Sequence, residues 1–101
     1  INHVHAEFIE KAHQTSAKYP EGVSEFEAVG LTPDYVEGVA APFVKKSIIQ
    51  FACELVQRIP IELNQTHFII GKITHVMVPD SFVGPDGFID LESAGTLTCS
   101  G

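Results

Sequence analysis

From Ile49 to Leu63 apolar residues recur at every second position: Ile49, Phe51, Cys53, Leu55, Ile59, Ile61 and Leu63 share one side, with Gln57 breaking the set. Gln50, Ala52, Glu54, Val56, Arg58 and Glu62 fall on the other side. A period of two predicts a strand with one buried face. Pro60 predicts a bulge or an edge position, because proline has no N–H for a ladder. Asn64-Gln65-Thr66 predicts a short turn, and His67 to Val78 the return strand. There Ile69, Ile73 and Met77 share a face with Gly71, while Phe68, Ile70, Val76 and Val78 share the other. Both faces are apolar at their ends, which predicts cover on both. The short turn predicts an antiparallel hairpin. Pro79 stops the strand, Ser81 to Gly87 reads as a loop, and short extended pieces are expected at Phe88–Leu91 and Thr96–Cys99.

The first half has a different period. Val4, Phe8, Ile9 and Ala12 align on one face of a helix expected from about Val4 to Lys18, with Glu7, Glu10, Lys11 and Gln14 outside. Asn2 is its candidate cap, and Tyr19-Pro20-Glu21-Gly22 ends it. Ser24 to Ala28 predicts one helical turn with Ser24 and Glu27 as a capping box, stopped by Gly30. Thr32-Pro33-Asp34 predicts a further turn and Gly38 to Pro42 a loop of small residues. A helix followed by long antiparallel strands predicts a β-barrel or another β-rich domain with peripheral helices.

The 101 residues suit a single domain. Seven Phe, two Tyr and 45% hydrophobic residues supply a core. Thirteen acidic residues against six basic ones give a net charge of −7, which argues against nucleic-acid backbones and basic membrane anchoring as functions. Cys53 and Cys99 form neither a zinc spacing nor a disulfide framework, so a reduced cytoplasmic setting is expected. Cys53 reads as a small core residue. The chain opens Ile-Asn-His and stops soon after a strand, so both ends read as cut from a longer protein.

The residues also carry a resemblance. Ile-Asn before a helix is followed by His13-Gln14-Thr15-Ser16-Ala17, then Ser24-Glu25-Phe26-Glu27, then Gly30-Leu31-Thr32. Ala41-Pro42 and Phe68-Ile69-Ile70-Gly71-Lys72-Ile73 come later. In that order the motifs resemble the flavin reductase-like, FMN-binding split-barrel family, and they match the later part of a member. The resemblance implies a partial split β-barrel: residues 1–101 as the C-terminal part of a single domain whose N-terminal strands are missing. It further implies FMN in the complete protein, a homodimer with flavin near the interface, and hydride transfer from NAD(P)H to flavin. Asn2, His13, Thr15, Ser16, Thr66 and His67 are the cofactor-binding candidates. Thr66 stands where many members have a histidine, five residues ahead of the strand glycine, and His67 lies one residue later.

Other chemistry is weakly signalled. His3 and His5 are two apart, and His67 and His75, read on one strand face, stand roughly 26 Å apart, so no metal site is expected. These histidines read as surface or interface residues. Thr15 and Ser16 have a bland alternative as helix-end hydrogen-bonding groups, and Glu25 and Glu27 as capping and solvated charges. Two further functions stay open: a flavin-free partial split-barrel interaction module with unpaired strand edges, and a small β-barrel enzyme with His67 or His75 as base.

Overall fold

The computed structural model describes residues 1–99. Its dominant element is a ribbon of two twelve-residue strands, β3 (Gln50–Ile61) and β4 (Thr66–Met77), paired antiparallel. Ahead of it come a 3₁₀ turn (Ala6–Phe8), helix α1 (Ile9–Gln14), helix α2 (Glu25–Val29), and the short strands β1 (Pro33–Asp34) and β2 (Phe43–Val44), which pair with each other. A 3₁₀ turn at Asp80–Phe82 follows. The chain is β-rich with few, short helices.

The core lies at the foot of the ribbon. Ile49 is fully buried. Ser47 Oγ sits 2.8 Å from His3 O and 2.9 Å from Ile49 O, so one hydroxyl hydrogen serves two carbonyls. The Gln50 amide donates to Val44 O at 2.9 Å, and Val44 N donates to Asn2 Oδ1 at 2.9 Å. A second cluster joins Phe8, Val29 and Leu31, with Val4, Ala12 and Phe26 packed against it. His5 is buried between them; its Nε2 lies 2.8 Å from Lys46 O, an acceptor, so that nitrogen carries the hydrogen. At the far end of the chain, Ser93 Oγ and N donate to Asp90 at 2.6 and 2.9 Å, and these bonds hold the Asp90 carboxyl below the ordinary carboxylate range.

Several expectations are corrected. The first helix is shorter than Val4–Lys18, because the chain start is used as extended backbone: Asn2 bridges Gln50, His5 bridges Thr96, and Leu97 N donates to Val4 O. Asn2 therefore ties strands instead of capping a helix. Ile9 is exposed although Val4, Phe8 and Ala12 pack inward. Ser24 is extended at the start of α2 but makes no side-chain cap, so the capping box is not formed. Gly30 does end that helix, in the left-handed region at φ 72°. Pro33-Asp34 forms strand rather than turn: β1 pairs with β2, and beside it Lys45 N donates to Thr32 O. His5 is not a surface histidine.

The ribbon differs most. Its turn falls at residues 62–65, with Gln65 at φ 56°, and β4 already begins at Thr66. Pro60 pairs regularly opposite His67; the register breaks instead at Val56 on β3 and at Thr74 on β4, each a single unpaired residue. Each break reverses which residues share a face. Leu55 and Ile59 thus lie on opposite faces, and Gln57 marks the reversal instead of an interruption. Met77 likewise leaves the face of Ile69 and Ile73, and His67 and His75 point to opposite faces. Past Ala52 the ribbon is neither half-buried nor covered on both sides: Cys53, Leu55, Ile69 and Ile73 on one face, and Ile59 and Phe68 on the other, are all exposed. Two strands alone offer each other edges, not cover.

Ile49 is the tightest point of this scaffold. Ile49→Ala is expected to lower unfolding free energy by about 2–5 kcal/mol and Ile49→Val by about 0.5–1.5 kcal/mol, read from urea midpoints.

Candidate functional site

An open groove of about 480 Å³ runs along the root of the ribbon. One wall is the Gly38–Pro42 loop; the other is β3 from Phe51 to Glu54, with Ile1 at one end and Thr74 and His75 below. Small residues keep the loop low: a Cβ built on Gly38 would stand 4.0 Å from His75 Nε2, and Gly38 itself has φ 82°. The bulge at Thr74 sets the chemistry here. Thr74 Oγ1 donates to Ala52 O at 3.3 Å and lies 2.9 Å from His75 Nδ1. With its one hydrogen directed at the carbonyl, the hydroxyl accepts from Nδ1–H. Nε2 is left facing Gly38 on the groove side. The sequence marked Gly38 to Pro42 as a loop but not as the wall of a groove, because small residues carry no period that would signal a site.

The six candidate residues lie in three places. Asn2 is at the ribbon foot, engaged by Val44 N. His13, Thr15 and Ser16 are at the exposed end of α1. Thr15 Oγ1 donates to Ala12 O at 2.6 Å and Ser16 Oγ to His13 O at 2.7 Å, the helix-end bonding that competes with a ligand role. His13 also lines a second, smaller groove of about 310 Å³ with Val4, Ile9 and Leu97. Thr66 and His67 are at the ribbon tip, roughly 36 Å from its foot at 3.3 Å per residue. Thr66 Oγ1 and N both donate to Asn64 Oδ1, at 2.6 and 3.2 Å, closing the turn. Asn2, the α1 end and the ribbon tip are not brought together within this chain.

A flavin phosphate requires clustered donors. The Thr15 and Ser16 hydroxyl hydrogens already serve carbonyls, so these groups offer acceptance instead. Among the described residues, no complete FMN cradle is assembled, and no group of three His, Cys, Asp or Glu gathers as a metal set. No described helix is long and apolar enough to cross a membrane.

The structure is β-rich and built on one long antiparallel ribbon, and its structural neighbours are split-barrel proteins. The flavin reductase like domain family matches residues 1–90, and the chain belongs to that family. A crystal structure of a candidate flavin reductase with a split barrel domain, from Shewanella frigidimarina NCIMB 400, superposes at TM-score 0.90 with 48% identity, covering 94% of this chain and 48% of that one. Flavoredoxin of Desulfovibrio vulgaris (Miyazaki F) superposes at TM-score 0.73 with 28% identity, over 93% of this chain and 49% of its own. An uncharacterized protein of Aquifex aeolicus (strain VF5) is 34% identical over 92 residues, covering 91% of this chain and 46% of that protein. The chain thus spans about half the length of the relatives it matches. The fold of these neighbours agrees with the family match.

The family-like strand motif has a packing cause. A Cβ on Gly71 would lie 3.1 Å from Cys53 Cβ and 3.4 Å from Glu54 O. Neither neighbour can swing away, since one is on the strand and the other is backbone. Gly71→Ala is expected to cost about 1–3 kcal/mol by urea denaturation, with part recovered when Cys53→Gly is added in a double-mutant cycle.

Proposed function

We propose that this chain is one structural half of an FMN-binding reductase that works as a cytoplasmic homodimer and passes hydride from NAD(P)H to flavin. The single observation that carries the reading is the match of nearly the whole chain, at 48% identity and TM-score 0.90, to a split-barrel protein described as a candidate flavin reductase. The ribbon supports it physically. Its exposed apolar faces suit the wall of a larger barrel and a subunit contact. Bound flavin would supply the hydride chemistry. This half contributes shape, water exclusion and a few hydrogen-bonding groups.

In the complete protein Asn2, His13, Thr15, Ser16, Thr66 and His67 are proposed to face flavin or nicotinamide, reached across a subunit boundary where this chain holds them apart. His75, lining the groove, is a further polar group for such a site. A second reading, a flavin-free module, is favoured by the exposed β3 backbone edge and the apolar ribbon.

The two readings separate by titrating FMN into a protein of the relatives' length and following flavin absorbance and NADH oxidation. Stoichiometric yellow complex with NADH consumption is expected; colourless protein that leaves NADH intact would favour the module. If Thr66 serves the nicotinamide side, Thr66→Ala should raise the KM for NADH about 3- to 10-fold, the loss of one hydrogen bond. An unchanged KM would remove Thr66 from the site.

A further inference from the structure

Residues 82–90 form a small hairpin that lines neither groove. Asp90 N donates to Phe82 O at 2.8 Å, Val83 bridges Ile89, and Gly84 N donates to Phe88 O at 2.8 Å. Its turn, Pro85-Asp86-Gly87, holds the chain's one Asp-Gly pair, and the sequence has no Asn-Gly. Asp-Gly is the aspartyl pair most prone to closing a succinimide, because glycine has no Cβ to shield its amide nitrogen. Asp86 and Gly87 are both exposed, and a Cβ added to Gly87 would meet nothing within 4 Å. Water therefore reaches the pair freely.

The same turn engages both reacting groups. Gly87 N donates to Gly84 O at 2.9 Å, and Phe88 N donates to Asp86 Oδ1 at 3.1 Å. Ring closure requires Gly87 N to give up its hydrogen and the carboxyl carbon to swing onto that nitrogen. The first bond holds the hydrogen and the second holds the carboxyl. Gly84 makes the room for this arrangement: a Cβ there would stand 2.8 Å from Asp86 Oδ1. Gly84 is not among the residues with positive φ, so its missing side chain serves the carboxyl and not the backbone.

We propose that Asp86 is the isoaspartate-forming position of this chain, and that the hairpin turn holds the reaction back until it opens. In the first step Gly87 N bonds to Asp86 Cγ, and one carboxyl oxygen departs as water, carrying the amide hydrogen and one further proton. Water then opens the ring. Breaking the new bond to Cγ restores aspartate. Breaking the bond to the original backbone carbonyl routes the chain through Cβ and Cγ. No electrons are transferred, and water is the only co-reactant. The rerouted backbone is one carbon longer and moves the carboxyl that accepts from Phe88 N onto Cα, so the turn cannot re-form as before. The proposal stands independently of flavin.

The test is a warm incubation of the 101-residue chain at neutral pH, folded in buffer and unfolded in concentrated urea. Isoaspartate is quantified with isoaspartyl methyltransferase and located by peptide mapping. In urea the product should concentrate at Asp86 over Asp34, Asp80 and Asp90. In the folded chain it should form there about 5- to 100-fold more slowly, the combined effect of two hydrogen bonds. Gly84→Ala displaces the carboxyl from Phe88 N and should speed formation in the folded chain by about 3- to 10-fold, the loss of one bond. Circular dichroism checks that this variant folds; if it does not, the comparison of folded and unfolded unsubstituted chain decides alone. Equal rates in buffer and urea, product mainly at another aspartate, or a folded Gly84→Ala variant that reacts no faster would overturn the proposal.

Discussion

The structure depends on one joint, where the foot of the ribbon is gripped between the chain start and β2. Three segments distant in sequence meet there. Ile49 is wholly enclosed, the Ser47 hydroxyl reaches carbonyls of both His3 and Ile49, and Val44 both receives the Gln50 amide and donates to Asn2. Each buried side-chain polar atom among the described residues of this joint has its hydrogen-bond partner. Beyond Ala52 the ladder continues but burial stops. Backbone pairing alone leaves a two-stranded ribbon marginal, so the outer ribbon acquires its stability from whatever covers its faces.

That gradient of burial organises the functional reading. A hydride-transferring flavin carries its own reactivity and asks a protein for position, exclusion of water and a few donors. Such a site need not rest on shifted titratable groups: Asp90, whose carboxyl is lowered by Ser93, is far along the sequence from the groove residues and closes a local turn. The Thr74–His75 pair is the nearest to a prepared chemical group. Its orientation comes from a bulge, not from a motif of reactive residues.

Much of the fold was legible in the sequence, for reasons that individual residues make clear. Twelve residues of alternating pattern on each side of a short polar turn left little choice but an antiparallel hairpin, and Gly30 marked the end of α2 because only its backbone takes φ 72° at no steric cost. The order of motifs around Phe68–Ile73 pointed to the family that the chain belongs to. Cys53 misled because a period of two shows that a residue faces with its apolar neighbours, not that anything covers that face. Asn2 and His5 misled because their bonds run to Val44 and Lys46, more than forty residues away, a separation that local spacing cannot register. Of the candidate site, the residues were readable as types. Their dispersal between the α1 end, the ribbon foot and the ribbon tip was set by tertiary placement.

The two bulges explain why β3 carries apolar residues on both faces of the ribbon while its own sequence reads as one-sided. Without them Leu55, Ile59 and Ile61 would form one stripe and Glu54 and Arg58 the other, the pattern of a strand lying on a single core. The unpaired Val56 moves Ile59 and Ile61 across, and the unpaired Thr74 does the same on β4 for His75 and Met77. One alternating sequence is thereby divided between two surfaces: an inner stretch of one face on the body, and outer stretches of both faces free for other polypeptide. Gly71 lies between the bulges, where the strands press closely enough that Cys53 Cβ would stand 3.1 Å from an added side chain. The ribbon is shaped to bend and to be held from two sides, which a strand with an unbroken register could not be.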